Sequence, residues 1–302
     1  MAVEWNDNAV QTYQANFPDT PVYHGDITKL SVEEVCRLAE VELGQLDILD
    51  GSPPCQGFST AGRRDFNDDR NQLFREYVRL LRGLRPKVFV MENVSGMVKG
   101  KMKLIFAECL QELKASGYKV KARLLNAMYY GVPQSRQRLI FIGVRDDLGK
   151  EPSHPEAQTT VQTIREAMVG CPIDESERNW LLTEGQRHAS YAMWSSLKPG
   201  QNTRFGDHVR LDVNKPSRSI VKFAANVGAR SSMHWNEQRR PTTREYARIA
   251  SFPDTFKFIG GFKCAVERIG NTVPPLFMKA IAEHIRDNIL ATGNTDGDKT
   301  GK

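Results

Sequence analysis

Cys55 sits in a setting that none of the other four cysteines shares. It follows Asp50-Gly51-Ser52-Pro53-Pro54 and precedes Gln56-Gly57-Phe58-Ser59. The two prolines stiffen the approach and remove two backbone donors, while Gly51 and Gly57 let the chain turn on either side. The run Leu46-Asp47-Ile48-Leu49 reads as a short buried strand, so the thiol stands just past a strand's carboxyl end, where an open α/β sheet places its chemistry. That chemistry is nucleophilic attack; the alternative is a Pro-Cys turn with an inert thiol. Glu92 closes a second apolar run, Lys87-Val88-Phe89-Val90-Met91. A carboxylic acid facing the same crevice protonates a substrate and so makes the electrophile that a thiolate needs; the alternative is a capping or solvated acid. Gln134, Arg136 and Arg138 alternate, and on a strand alternate residues share a face. Two guanidiniums on one face clamp a phosphate and a base edge, unless they are the basic edge that keeps a strand from aggregating.

The elements that must hold these residues follow from the pattern. Ala2-Val3-Glu4-Trp5 looks like the end of a strand, and a helix begins near Asp7 with Val10, Tyr13 and Phe17 on one face, stopping before Pro18. Pro21-Val22-Tyr23 is a second strand with Gly25-Asp26-Ile27 as its exit, and Ser31 with Glu34 forms a capping box for the next helix. Leu73, Phe74, Tyr77, Leu80, Leu81 and Leu84 mark an amphipathic helix; another carries Leu104, Ile105 and Leu113 and stops at Gly117. Strands over 118–125 and 139–144 flank the loop 129–138. Strands alternating with helices predict a doubly wound, mostly parallel sheet. Three of its loop ends, Glu4-Trp5, Gly25-Asp26 and Cys55, carry polar groups to one side. An acid directly after a strand binds ribose hydroxyls and an adjacent Trp stacks on a purine, which points to a nucleoside-bearing cofactor. Read singly, Glu4-Trp5 is a surface acid beside a core aromatic and Asp26 a turn or cap residue.

Composition narrows the partners. The 302 residues suffice for a sizeable core, and 40% hydrophobic with 26% charged residues is the balance of a soluble globular chain. No apolar run approaches membrane-spanning length. Five cysteines, odd in number and without paired metal-type spacing, argue against a disulfide framework or a zinc site and for a reducing cytoplasm. A net charge of +6 and a pI near 9.0 favour a polyanion such as nucleic acid.

Seven segments in this order resemble the C5-cytosine DNA methyltransferases. They are Glu4-Trp5, Gly25-Asp26-Ile27, Pro53-Pro54-Cys55-Gln56, Glu92-Asn93-Val94, Gln134-x-Arg136-x-Arg138, Arg240-Pro241-Thr242-x-Arg244-Glu245 and Gly270-Asn271-x-Val273-Pro274. The resemblance covers nearly the whole chain. It implies a Rossmann-like fold that uses S-adenosylmethionine, with Cys55 attacking C6 of a flipped-out cytosine and Glu92 holding or protonating N3. C5 then takes the methyl group, and loss of its proton with elimination of Cys55 frees the enzyme. Flipping is required because a stacked cytosine cannot offer its face to a thiol and a methyl donor together. The resemblance gives Arg138 the cytosine O2 and Arg136 the orientation of the site. It gives Glu4 the cofactor ribose, Trp5 and Ile27 the adenine faces and Asp26 the adenine amino group, with Pro53, Leu73, Asn271 and Val273 completing the pocket. The loop 58–70 looks like one that closes on DNA from the minor groove, with Ser59, Arg64 and Arg70 as backbone contacts and Gln56 and Gln134 also toward DNA.

By the same likeness residues 1–150 form the cofactor-binding and catalytic core, 151–238 a connecting and target-recognition region, and 239–291 the return to the core, with a disordered tail over 292–302. A strand over 219–223 and the loop 224–235 are expected to read flanking bases in the major groove through Arg230, Ser231, Ser232 and His234. Thr242 and Glu245 form a second capping box, and Met278, Ile281, Ile285 and Ile289 an apolar face on the last helix. One departure stands out: the family opens with a strand and a Phe-x-Gly-x-Gly loop for the methionine end of the cofactor, and nothing like it precedes Glu4. This implies a truncated enzyme, the larger piece of a split enzyme completed by a small subunit or N-terminal segment, or an inactive DNA-binding remnant. An incomplete or split methyltransferase is the favoured reading, and on it the chain alone is expected to fold marginally and to bind S-adenosylmethionine poorly. Cys55, Glu92, Arg136 and Arg138 together argue against decay of the active site. The resemblance implies an enzyme of double-stranded DNA, of restriction-modification type, in a bacterial or phage setting near the nucleoid. A tRNA cytosine-C5 methyltransferase of the related branch would share Cys55 and Glu92.

Overall fold

Val88-Phe89-Val90-Met91 is apolar without alternation, as expected for a strand covered on both faces, and all four residues are buried. The computed structural model describes residues 1–54, 72–100, 102–187, 192–203, 208–226 and 232–291. In chain order its elements begin with β1 (Ala2–Glu4), α1 (Asp7–Asn16), β2 (Val22–His24), α2 (Val32–Ala39), β3 (Ile48–Gly51) and α3 (Gln72–Leu84). Next come β4 (Val88–Val94), α4 (Met102–Ala115), β5 (Tyr118–Asn126), β6 (Gln134–Ser135), β7 (Gln137–Arg145), α5 (Ile164–Ala167) and α6 (Glu175–Arg187). The chain continues with β8 (Val209–Arg210), β9 (Ser217–Arg218), β10 (Ser232–Met233), α7 (Thr243–Ile249), α8 (Phe262–Asn271) and α9 (Pro275–Ile285). A four-stranded sheet has the order β3-β4-β7-β5, and β1 with β2, β6 with β9 and β8 with β10 form two-stranded parallel pairs. β3 and β4 are parallel, with Leu49 opposite Phe89 and Gly51 opposite Met91.

The chain divides into two compact units. The first comprises Met1–Ala39, Leu124–Arg138 and Glu156–Lys279, and the second Glu40–Arg123, Leu139–Pro155 and Ala280–Lys302. In the second, α3 buries Phe74, Tyr77, Val78 and Leu81 at helical spacing against a core that includes Phe89, Met91, Ile105, Cys109, Leu113 and Phe141. Each such side chain contributes about 1.5–3 kcal/mol on burial. Leu73 falls off this face and is exposed. The first unit has its own core, in which Tyr246, Ile249, Phe252, Val266 and Ile269 pack with Ile164, Leu211 and Ile220.

Caps set several boundaries. Asn6 accepts from the Ala9 amide to start α1, and the Thr242–Glu245 box that starts α7 is present in both directions. Ser31 accepts from the Glu34 amide ahead of α2. Ile281, Ile285 and Ile289 are buried on and beyond α9, joined by Phe277, which the expected face omitted. Two expectations need correction. Residues 219–223 are not a strand; the strand is Ser217–Arg218, because the Ile220 amide and carbonyl are taken by the side chains of Gln134 and Arg136 rather than by a neighbouring strand. The stretch read as irregular also holds α6, a 13-residue helix that buries only Leu181 and Gly185 and so shows no apolar stripe. Its start is an acid cap, Asp174 Oδ1 accepting from the amides of Ser176 and Glu177. Among the described residues no helix is long and apolar enough to cross a membrane.

Candidate active site

In the second unit, β3 runs into Ser52-Pro53-Pro54 and β4 carries Glu92 and Asn93. Pro53 is buried, and its carbonyl accepts a hydrogen bond from Asn93 Nδ2 at 3.2 Å. Asn93 Oδ1 receives the Val94 amide at 2.9 Å, which fixes the orientation of the amide group. The segment leading to Cys55 is thereby tied to the residue next to Glu92, which is itself half-buried. Leu73 lies in the first turn of α3, its side chain on the exposed side. Cys55, Gln56, Ser59, Arg64 and Arg70, with the loop 58–70, lie outside the described residues.

In the first unit, the parallel register of β1 and β2 brings Glu4 opposite His24, and the Gly25 amide donates to the Glu4 carbonyl at 3.0 Å. Glu4-Trp5 and Gly25-Asp26-Ile27 therefore leave neighbouring strands at the same carboxyl end. Glu4 Oε1 accepts from the amides of Trp5 and Asn6, both at 2.9 Å, which orients the carboxylate. Trp5 is 80% exposed, an unusual state for so large an apolar ring. Asp26 is exposed, and the hydrogen bond from the Thr28 amide lowers its pKa, so it stands as an acceptor. An oriented acid, an open aromatic face and a second carboxylate on adjacent strand ends fit the ribose, ring and amino group of an adenosine. Asn271 ends α8 with its side chain exposed, Val273 is half-buried and Pro274 is buried.

The three residues of the Gln-x-Arg-x-Arg segment do not share one environment, because the strand is interrupted at Arg136 between β6 and β7. Gln134 is buried, its Oε1 accepting from the Ile220 amide at 3.0 Å. Arg136 is 3% exposed and donates to Ser219 Oγ at 3.1 Å, to the Ile220 carbonyl at 2.7 Å and to the Gly270 carbonyl at 2.8 Å. It braces the segment 219–220 against the end of α8, just before Asn271. A Cβ on Gly270 would sit 2.4 Å from the Lys222 amide nitrogen, so the same segment needs a glycine there. Arg138 is half-buried, with Nη1 donating to the Gln137 carbonyl.

The expected base readers also separate. Arg230 and Ser231 lie outside the described residues. Ser232 is buried in β10, and His234 is buried with both ring nitrogens engaged. His234 Nδ1 accepts from the amides of Asn236 and Glu237 at 3.1 Å, and Nε2 lies 3.2 Å from Glu245 Oε1. Glu245 in turn accepts from Arg239 at 2.7 and 3.0 Å, and Glu237 pairs with Arg239 and Arg178. Burial lowers the pKa of His234, which keeps the ring neutral with Nε2 as its donor. Burial by itself would raise that of Glu245, but the Arg239 and His234 hydrogen bonds hold it well below the carboxylate range. Hydrogen bonds from Arg178 bring Glu237 down to about 2. His234 is therefore part of a buried ionic network.

Within the first unit, Glu4, Trp5 and Asp26 stand at the carboxyl ends of a parallel strand pair, and within the second, Glu92 lies on the strand paired with β3. The C-5 cytosine-specific DNA methylase family model matches residues 1–287. The chain is 36% identical over 305 residues to the type II methyltransferase M1.HphI of Haemophilus parahaemolyticus, covering 94% of this chain and 80% of that one. It is 33% identical to M.XorII of Xanthomonas oryzae, covering 90% and 76%. Among solved structures it is similar to a putative DNA modification methyltransferase encoded within an E. coli prophage. That match has a TM-score of 0.77 and 25% identity, and covers 96% and 92% of the two chains. The chain belongs to the C-5 cytosine-specific DNA methylase family, whose methyl donor is S-adenosylmethionine.

Proposed function

We propose that this chain methylates C5 of a flipped-out cytosine in duplex DNA through a covalent bond between Cys55 and C6, as the modification enzyme of a type II restriction-modification system. The observation that carries the reading is the tie between Asn93 and Pro53, which couples the approach to Cys55 to the strand bearing Glu92. Type II relatives at up to 36% identity over nine-tenths of the chain support the restriction-modification setting, and with it the bacterial cytoplasm and nucleoid.

In this mechanism the Cys55 thiolate adds to C6 while Glu92 delivers a proton to N3, so the charge of addition does not accumulate on the ring. S-adenosylmethionine, when bound, supplies an electrophilic methyl group. Glu4, Trp5, Asp26 and Ile27 would hold its adenosine, and the family likeness assigns Pro53, Leu73, Asn271 and Val273 to the same cofactor. Once C5 carries the methyl group, solvent would take up the C5 proton and Cys55 would depart as thiolate, restoring the aromatic ring, and the proton on N3 would return to Glu92. Arg138 binds the cytosine O2, and Arg136 acts by bracing the segment 219–220. Arg230 and Ser231, with Gln56, Ser59, Arg64 and Arg70, contact the DNA.

The test is transfer of labelled methyl into mixed-sequence duplex DNA, with tRNA as the competing substrate. It is run with the chain alone and with an added segment carrying a strand and a Phe-x-Gly-x-Gly loop. Incorporation into DNA in either arm, abolished by Cys55→Ser, supports the reading. Incorporation into tRNA alone moves the substrate class, and DNA binding without transfer in both arms leaves a binding module.

A further inference from the structure

We propose that Tyr77 is a positioning residue for the reaction, a buried staple that holds β3, which leads into Ser52-Pro53-Pro54, to β4, which carries Glu92; this rests on the function proposed above. Tyr77 lies on α3 and is 5% exposed. Its hydroxyl is 3.1 Å from the Val90 carbonyl on β4 and 3.4 Å from the Leu49 carbonyl on β3, so one donor bridges the two strands. Val90 stands two residues before Glu92, and Leu49 four before Pro53.

The phenol ring is held on two sides. It meets Phe89 edge-on at 6.3 Å between centroids, and it covers Gly51, where a Cβ would lie 2.9 Å from Tyr77 Cε2. Gly51 leads directly into Ser52-Pro53. The ring thus needs a glycine in the last position of β3, and the hydroxyl needs the two carbonyls in register. Burial pushes the pKa of the hydroxyl well above its ordinary value, so it stays a donor throughout the working pH range. A core tyrosine that merely satisfies its hydroxyl gives a different pattern, and the same unit contains one. Tyr118 donates to the Pro86 carbonyl at 2.8 Å, at the opposite, amino-terminal approach to β4.

The two tyrosines make a matched pair of tests. Tyr77→Phe and Tyr118→Phe each remove one buried hydroxyl and keep the ring. The full chain is assayed for methyl transfer and for covalent trapping on duplex DNA containing 5-fluorocytosine, whose C5 fluorine cannot leave as a proton. Both variants should lose a few degrees of Tm. Tyr77→Phe should slow adduct formation and kcat about ten-fold at unchanged KM for DNA, and Tyr118→Phe should leave both near wild type. Amide hydrogen exchange over residues 48–52 and 90–94 should quicken in Tyr77→Phe alone. If Tyr77→Phe does not fold, Gly51→Ala crowds the same ring from the other side and must reproduce the kinetic loss. Equal kinetics for the Tyr77 and Tyr118 variants at equal loss of Tm overturn the inference. An unmodified chain that forms no adduct either alone or with the added strand-and-glycine-loop segment overturns the reading beneath it instead.

Discussion

The Asn93 side chain donates to the carbonyl of Pro53, joining the residue after Glu92 to the residue two before Cys55. Replacing Asn93 by Ala removes this bond to the Pro53 carbonyl and loosens the segment leading to Cys55 from β4. The stability cost is about 1 kcal/mol, as for one hydrogen bond lost. The kinetic cost is the larger effect, about ten-fold in adduct formation on 5-fluorocytosine DNA, since a nucleophile displaced by a fraction of an ångström loses its near-attack geometry. Thermal melts and single-turnover trapping of Asn93→Ala separate the two. A variant that melts early yet traps DNA at the wild-type rate would show the bond to be structural only.

Trp5 presents a ring that is 80% exposed, so removing it costs the fold little. Trp5→Ala is expected to leave Tm unchanged and to weaken S-adenosylmethionine binding roughly two- to ten-fold, the range for one lost aromatic stacking contact. Trp5→Phe should recover most of the affinity. Isothermal titration with the cofactor, without DNA, is the measurement. An unchanged Kd for Trp5→Ala would remove Trp5 from the site.

Arg136 makes three hydrogen bonds to oxygens while almost fully buried, so its loss acts through the fold before it acts on chemistry. Arg136→Ala strands the Ile220 and Gly270 carbonyls and is expected to cost roughly 3 kcal/mol or more. Lys cannot reproduce a planar fork that reaches three acceptors, so Arg136→Lys should recover only part of the loss. Gly270→Ala attacks the same junction from the other side by pressing a methyl group into the Lys222 backbone. Urea denaturation of the three variants tests this; wild-type midpoints would refute the bracing role.

Much of this arrangement was legible in the amino-acid sequence, and what was not has a common cause. Strand exits announce themselves locally: Glu4-Trp5 and Gly25-Asp26 are polar residues directly after apolar runs, and they leave paired parallel strands at one end. The Thr242–Glu245 box was equally plain, because a capping pair is read from two residues three apart. Gln134 and Arg136 misled because strand alternation was assumed through a point where the strand breaks, and their partners at 219–220, 249 and 270 are remote in sequence. His234 looked like a surface reader because nothing adjacent reveals that Glu245 and two backbone amides enclose it. Local rules see caps and exits; they do not see which polar residue a distant loop will cover.

The network around His234 also predicts how the fold responds to acid. His234 is held neutral by burial, so its folded pKa lies below the ordinary 6.5, and the unfolded chain takes up a proton there first. Stability therefore begins to fall as pH drops below about 6.5. Glu237, which Arg178 and then Arg239 hold at about 2 against an ordinary 4.5, contributes stability that is present above about 4.5 and lost as pH falls toward about 2. Glu245 adds to that second phase in the same direction. The expected profile is flat in Tm above pH 7, with a shallow decline from about 6.5 and a steeper one below about 4.5. Glu237→Gln should flatten part of the steep phase and lower Tm at pH 7, because the Arg178 and Arg239 pairs are lost while the guanidiniums stay charged. Calorimetric scans of both chains from pH 3 to 8 measure this. A Tm for Glu237→Gln that falls between pH 4.5 and 3 as steeply as wild type would show that the carboxylate carries no such linkage.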